Sequence, residues 1–339
     1  MKKILIVTAI LSLTFACSKK EEKADTGKPQ AKTELMERAN TLFIPITTIK
    51  PENISSDKIE LGKKLYFDDR LSKNNTISCN SCHNLSTYGV DNAHLSLGDT
   101  QELGSRNSPS SFYAFLHFKQ FWDGRAENVE EQAKGPLLNP VEHGIPSDKY
   151  LVDKLRAIPE YQEMFKKAFP EEAEPVTFDN IAIAIGAFER QLAPVSRFDT
   201  YLDGDDNALT EQEKAGLKDF MDAKCTICHN GVAIGGGLFQ KFGVYGAYYE
   251  ETNSKKVDNG VFDLTKDEKD KFLFKVPSLR NVEKTHPYFH DGSVAGLKDA
   301  IRIMAKLQQD IQLTDKQVDD IEAFLKSMTA DIDPKYKQP

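Results

Sequence analysis

Two five-residue runs share one pattern: Cys79-Asn80-Ser81-Cys82-His83 and Cys225-Thr226-Ile227-Cys228-His229. The paired cysteines can each form a thioether with a porphyrin vinyl group, and the adjacent histidine can ligate the iron, so the runs have the form of c-type haem attachment. What stands opposite that histidine decides between electron transfer and oxidant chemistry. Cysteine pairs also hold zinc, but two identical spacings, each with its adjacent histidine, argue for haem. Cys79, Cys82, Cys225 and Cys228 are the expected attachment points, and His83 and His229 the expected proximal ligands. Two haems in one chain imply a redox protein.

The elements that must position these runs are mainly helical. Apolar residues at Ile59, Leu61, Leu65 and Tyr66 predict an amphipathic helix over Ser56–Phe67. Further helices are expected over 151–169, 178–192, 297–307 and 314–328. Thr210 and Glu213 form a capping box for another, which runs to about Ala223 just ahead of the second run. The glycine- and aromatic-rich stretch 239–249 reads as irregular or as a short hairpin. Proline- and glycine-rich connectors occupy 86–110 and 230–260. Both runs follow a helix and continue His-Asn, and their histidines lie 146 residues apart (229 less 83). That interval suits two domains in a chain of 339 residues. The expected fold is mostly α: two cytochrome c-like domains, over 45–192 and 193–331, each with one covalently bound c-type haem.

The N-terminus reads as an export signal over 1–16. Lys2 and Lys3 precede an apolar stretch from Ile4 to Ala16, too short to span a bilayer. It ends at Cys17, a position suited to lipidation, although the leucine usual three residues before such a cysteine is here Leu13, four before. Four of the five cysteines belong to the haem runs, which leaves Cys17 alone and none for a disulfide. Residues 17–44 are expected to be a lipid-anchored flexible tether, charged near its start and without apolar periodicity. The formal charge is −8; cleavage before Cys17 lowers the basic count from 44 to 42 against 52 acids, net −10. This balance argues against nucleic acid as a partner.

From about Leu61 to Met328 the chain resembles the bacterial di-haem cytochrome c peroxidases. Besides the two haem runs, the resemblance rests on Leu61-Gly62-Lys63-Lys64-Leu65-Tyr66-Phe67-Asp68, Arg106-Asn107-Ser108-Pro109, Phe121-Trp122-Asp123-Gly124-Arg125-Ala126, Glu131-Gln132-Ala133-Lys134-Gly135-Pro136 and Asn139-Pro140-Val141-Glu142. Ser196-Arg197-Phe198-Asp199, Pro277-Ser278-Leu279-Arg280-Asn281-Val282 and Pro287-Tyr288-Phe289-His290-Asp291-Gly292 complete it. The resemblance implies reduction of hydrogen peroxide to water in the periplasm or cell envelope. Electrons would come from a small periplasmic cytochrome c or copper protein, enter at the C-terminal haem and pass to the N-terminal one. By position, Met304 matches the methionine ligand of the second haem, and thioether plus imidazole favours the ferrous state. Glu142 and Gln132 match the distal pair of the peroxide site, Glu142 as proton carrier, while Pro136 shapes its wall. Trp122, the sole tryptophan, matches an electron relay between the haems. Asn107, Thr285 and Pro287 match a structural calcium site built from oxygen ligands. The resemblance admits a homodimer, which nothing in the sequence requires.

Two positions depart from the pattern. Many such proteins carry a histidine before the Arg-Asn-Ser-Pro run that ligates the peroxidatic iron until the other haem is reduced. Here that position is Asp99, with His94 five residues earlier as a candidate substitute. With no ligand there, the oxidised protein needs no reductive activation. His143 stands where methionine is common; it is either a tuner of the acid–base pair or a surface residue. His117, His286 and His290 read as structural, His290 in a turn from which it can bond a haem propionate. Two alternatives stay open: a di-haem enzyme that oxidises residues of a partner protein, which in that relative uses tyrosine on its second haem, and a pure electron-transfer cytochrome.

Overall fold

The computed structural model describes residues 32–50 and 52–339. The signal-like stretch and Cys17 lie outside the described residues. In chain order the helices are α1 Glu34–Asn40, α2 Ser56–Phe67, α3 Cys79–Cys82, α4 Val129–Leu138, α5 Asp148–Arg156, α6 Pro159–Ala168 and α7 Phe178–Glu189, followed by α8 Arg197–Leu202, α9 Glu211–Asp222, α10 Tyr248–Glu251, α11 Phe262–Thr265, α12 Leu297–Gln309 and α13 Asp315–Lys326. The only strands among the described residues, β1 Phe239–Lys241 and β2 Leu273–Lys275, pair antiparallel with Phe239 opposite Lys275.

Local chemistry explains most boundaries. Ser55, Thr177, Thr210 and Thr314 accept backbone amides at the starts of α2, α7, α9 and α13, each satisfying a donor the helix leaves free. The single helix expected over 151–169 is two, because Pro159 opens a new first turn and cannot continue the old one. The hairpin reading of 239–249 is corrected too: β1 finds its partner more than thirty residues on.

Two helix pairs frame two apolar cores. In the first, α2 crosses α7 at Gly62, where a Cβ would fall well inside contact with the carbonyl oxygen of Ala184 and would press on Phe188. In the second, α9 crosses α13 at Gly216, and a Cβ there would meet the Asp320 carbonyl and Phe324 in the same way. Four residues beyond each glycine comes a buried aromatic, Tyr66 or Phe220, that packs edge-on or tilted against Phe188 or Phe324. The same crossing is thus built twice.

The ends of the chain do not stay with their neighbours in sequence. The tether expected through residue 44 is ordered by Glu34: Met36, Ala39 and Phe43 recur at helical spacing and are buried in the second core. One short helix with three apolar residues gives too weak a periodicity to stand out among its charged neighbours. Conversely, Ile332 and Tyr336 follow the second core in sequence but pack on the first, with Tyr336 edge-on to Phe188. A fully buried ion pair adds to this: Arg280 donates twice to Asp199, at 2.8 Å each, and Asp199 also accepts the amide of Ile46. Residues 32–339 make one compact unit.

Gly62→Ala and Gly216→Ala each force a methyl group against a helix backbone that cannot yield cheaply. Each variant is expected to lose about 1–3 kcal/mol in denaturant unfolding. Gly237→Ala, where nothing lies within 4 Å, serves as the neutral comparison.

Two candidate haem sites and the wall between them

Each Cys-x-x-Cys-His run sits at the start of a loop with the same internal bonds. The amide of Gly89 donates to Asn84 O at 2.8 Å, and that of Gly235 donates to Asn230 O at 2.9 Å. Both glycines have positive φ, 78° and 120°, a region that disfavours other residues. A Pro-Ser pair then closes each loop: Ser110 Oγ donates to Tyr88 O, and Ser278 Oγ donates to Ala233 O. The two proximal histidines differ in their support. His83 Nδ1 donates to Pro109 O at 2.9 Å, which fixes the ring and leaves Nε2 as the nitrogen available to a metal. The matching carbonyl, Pro277 O, stands near His229, yet His229 Nδ1 is buried without a hydrogen-bond partner. Burial pushes both imidazoles down, His229 to about 4, so both are held neutral, the form that binds metal.

His83, Cys79 and Cys82 open on a cavity of about 1180 Å³. Gln132 and Glu142 line the same cavity. Gln132 rides on α4, whose Pro136 removes the amide that would have bonded the Gln132 carbonyl. Glu142 follows in the next turn, where Asn139 Nδ2 donates to its Oε1 at 2.8 Å. Burial raises the Glu142 pKa, opposed by the charge of Arg125 and by the Asn139 hydrogen bond. Arg125 is itself held over the Phe121 ring, 3.4 Å from its centroid, and bonded to Asp123.

The departures from the expected pattern have definite places. Asp99 turns its carboxylate onto the chain at 74–76, accepting from Asn74 N at 3.0 Å and Thr76 Oγ1 at 2.6 Å. Those bonds lower its pKa against the effect of burial. His94 lines the first cavity and donates from Nδ1 to Gly292 O at 3.0 Å. His143 is not a surface residue: it is buried, donates to Leu71 O at 3.1 Å, and is pushed down to about 4 by burial.

His229, Cys225, Cys228 and Met304 line a second, narrower and more apolar cavity. Met304 reaches it from α12 and packs against the largely aromatic cluster of Phe242, Tyr248, Phe274 and Leu307. Trp122, Asn107, His117 and Lys275 line both cavities. The indole Nε1 of Trp122 donates to Asn107 O at 2.9 Å. Arg106 anchors this wall with two bonds to Asp258 and one to Asp123. Asn107, Thr285 and Pro287 all border the second cavity. The Asn107 amide nitrogen is spent on Ala93 O and His94 O, and among the described residues nothing donates to its Oδ1 or to the carbonyls of Thr285 and Pro287.

Residues 56–207 match the family described as di-haem cytochrome c peroxidase. Cytochrome c551 peroxidase of Pseudomonas aeruginosa is 46% identical over 90% of this chain and 89% of its own. The chain belongs to the di-haem cytochrome c peroxidase family. Cytochrome c551 peroxidase of Nitrosomonas europaea is 44% identical over 89% of this chain and 87% of its own. Among solved structures, a MauG-like protein associated with microbial copper homeostasis superposes with a TM-score of 0.74 at 30% identity, covering 93% of this chain and 97% of that one. The protein is an oxidoreductase of the peroxidase type with a mostly helical fold. Membership implies two c-type haems, and the residues fit them. The four cysteines are unbridged, each pair borders a cavity, and the neutral imidazoles line the same cavities.

One residue of this peroxidase escaped the sequence reading. Glu189 ends α7, lines the first cavity, and is pushed up to about 8, first by burial and then by the charge of Glu130. It lies at the end of an apolar helix, and only its depth marks it. A carboxyl whose folded pKa is raised keeps its proton after the unfolded chain has lost its own, so stability falls as pH climbs from about 4.5 towards 8. Glu189→Gln removes that dependence. Its thermal midpoint relative to the parent is expected to rise between pH 5 and pH 9.

Proposed function

We propose that this peroxidase reduces hydrogen peroxide to water at the first cavity, with electrons from a small cytochrome c or copper protein entering at the second. The observation that carries the reading is the convergence of Gln132 and Glu142 on the cavity of His83, with Glu142 buried and raised in pKa. The balance is one peroxide, two electrons and two protons to two waters. The haems supply iron centres that change oxidation state. Glu142 takes the proton from one peroxide oxygen and delivers it to the other as the O–O bond breaks, and the Gln132 amide orients the peroxide by hydrogen bonding. Trp122, bordering both cavities, shortens the electron's path between them. Met304, which lines the second cavity with His229, would hold the iron of the electron-entry haem through its thioether.

Asn107 Oδ1 and the Thr285 and Pro287 carbonyls, all left without donors, form a calcium site. A signal segment and lipidation at Cys17 would hold the enzyme in the periplasm or cell envelope; among the described residues, no helix is long and apolar enough to cross a membrane. The likeness to a MauG-like protein supports a second reading, oxidation of residues on a partner protein. Steady peroxide consumption driven by a reduced small donor, with no partner protein present, separates the two.

Glu142→Gln is expected to lower kcat/KM by about 10²–10⁴-fold. Because Glu142 must be ionised to accept the proton, kcat/KM should fall as pH drops through its pKa, above the ordinary 4.5. Arg125 holds that pKa down, so Arg125→Met should move the acid limb to higher pH.

With Asp99 bonded to 74–76, we expect the fully oxidised enzyme to give a high-spin paramagnetic resonance signal and to turn over peroxide without pre-reduction. Two low-spin signals and a lag abolished by pre-reduction would mean that another ligand, His94 being the candidate, closes the site.

A further inference from the structure

The wall between the two cavities holds a buried cation with no acid beside it. Lys275 ends β2 and is only 5% exposed. Its Nζ lies 2.9 Å from His117 Nδ1. An ammonium has donors and no acceptor, so it donates and Nδ1 accepts. The proton of His117 therefore sits on Nε2, and that atom is buried without a partner. The ring is held there by its seat on Gly236, where any Cβ would collide with it. The chain thus supplies Lys275 Nζ with one neutral acceptor and no carboxylate, and leaves Nε2–H, on the far side of the same ring, with none.

No carboxylate acts on Lys275, and the acids of the cavity wall are bonded elsewhere. Asp123 and Asp258 are bonded to Arg106, and Asp123 to Arg125 as well. With burial alone acting on it, Lys275 is pushed down to about 8. A buried lysine without a counter-charge is costly. Both side chains line both cavities, so the missing acceptor must come from what those cavities hold.

The geometry points to an anion-binding site at the wall shared by the two sites, in which Lys275 Nζ donates its remaining protons to a propionate carboxylate of a bound haem and His117 Nε2 is a separate donor on the far side of the ring. The Lys275 ammonium would supply that carboxylate with a buried positive charge. Its neighbour in the wall is Trp122, whose carbonyl accepts the Lys275 amide at 2.8 Å. The inference rests on haem being bound and is independent of the donor and of the peroxide chemistry.

The test is spectroelectrochemical titration of the holoenzyme, with haem content checked at two per chain. Removing the cation in Lys275→Met should favour the ferric state. At a fixed ambient potential the ferric-to-ferrous ratio of one haem should rise about tenfold, a downward shift of about 59 mV for a one-electron couple. Lys275→Arg, which keeps the charge, should stay near the parent. Unchanged potentials in a fully loaded Lys275→Met would overturn the proposal. Should that variant fail to load two haems, a crystal structure of the parent holoenzyme decides. A propionate oxygen within hydrogen-bond distance of Lys275 Nζ or His117 Nε2 upholds the pairing and tells which haem supplies it. Water or a solvent ion there, with all propionates directed elsewhere, rejects it.

Discussion

Everything in this molecule hangs on a close approach between two helix backbones, made at Gly62 against Ala184 and again at Gly216 against Asp320. At each crossing the absence of a side chain lets a carbonyl lie where a Cβ would be. That proximity brings Tyr66 and Phe220 against Phe188 and Phe324, and it sets the helix whose end leads into the cysteine-histidine turn. A fixed crossing gives each turn a fixed origin, from which Gly89 or Gly235 and a Pro-Ser pair carry the loop around the histidine ring. Dispersion and burial do the stabilising, while steric exclusion selects the residue type.

The two cavities built on this common frame have diverged in what lines them. The first gathers Arg106, Asp123, Arg125, Glu142 and Glu189 around its rim, so that burial and neighbouring charges act on several ionisable groups at once. The second is closed mainly by apolar and aromatic side chains, with Phe274 stacked on His290 at 4.2 Å. A polar, charge-lined cavity can exchange protons through groups whose charge changes, whereas an apolar one excludes water from whatever it holds. The two histidines differ in degree, His83 bonding Pro109 O at 2.9 Å while Pro277 O stands near His229 without a well-formed hydrogen bond.

Much of this was legible in the residues. The cysteine-histidine runs announce themselves, and the capping box at Thr210-Glu213 places α9 to within a residue, while the helix expected over 314–328 is found at Asp315–Lys326. Gln132, Glu142 and His83 do reach one cavity, although they come from three separate stretches of chain. What could not be read were features whose meaning depends on distant partners. The pairing of β1 with β2 has no local signature, because three residues carry too little alternation. Lys275 looks like any strand lysine until its depth is known, and His117, read as structural, gains its significance only from the ammonium beside it. His143 changed category for the same reason, as burial is a property of the fold rather than of the residue.

The exchange of chain ends between the two cores gives the duplicated halves a shared fate. Residues Met36 to Phe43 complete the core built around Phe324, while Ile332 and Tyr336 complete the one built around Phe188. Neither half is therefore a self-sufficient module: cutting the chain between α7 and α8 would strip each fragment of a patch of its own interior. The two similar halves are laced together by their ends, so either half on its own is an incomplete object.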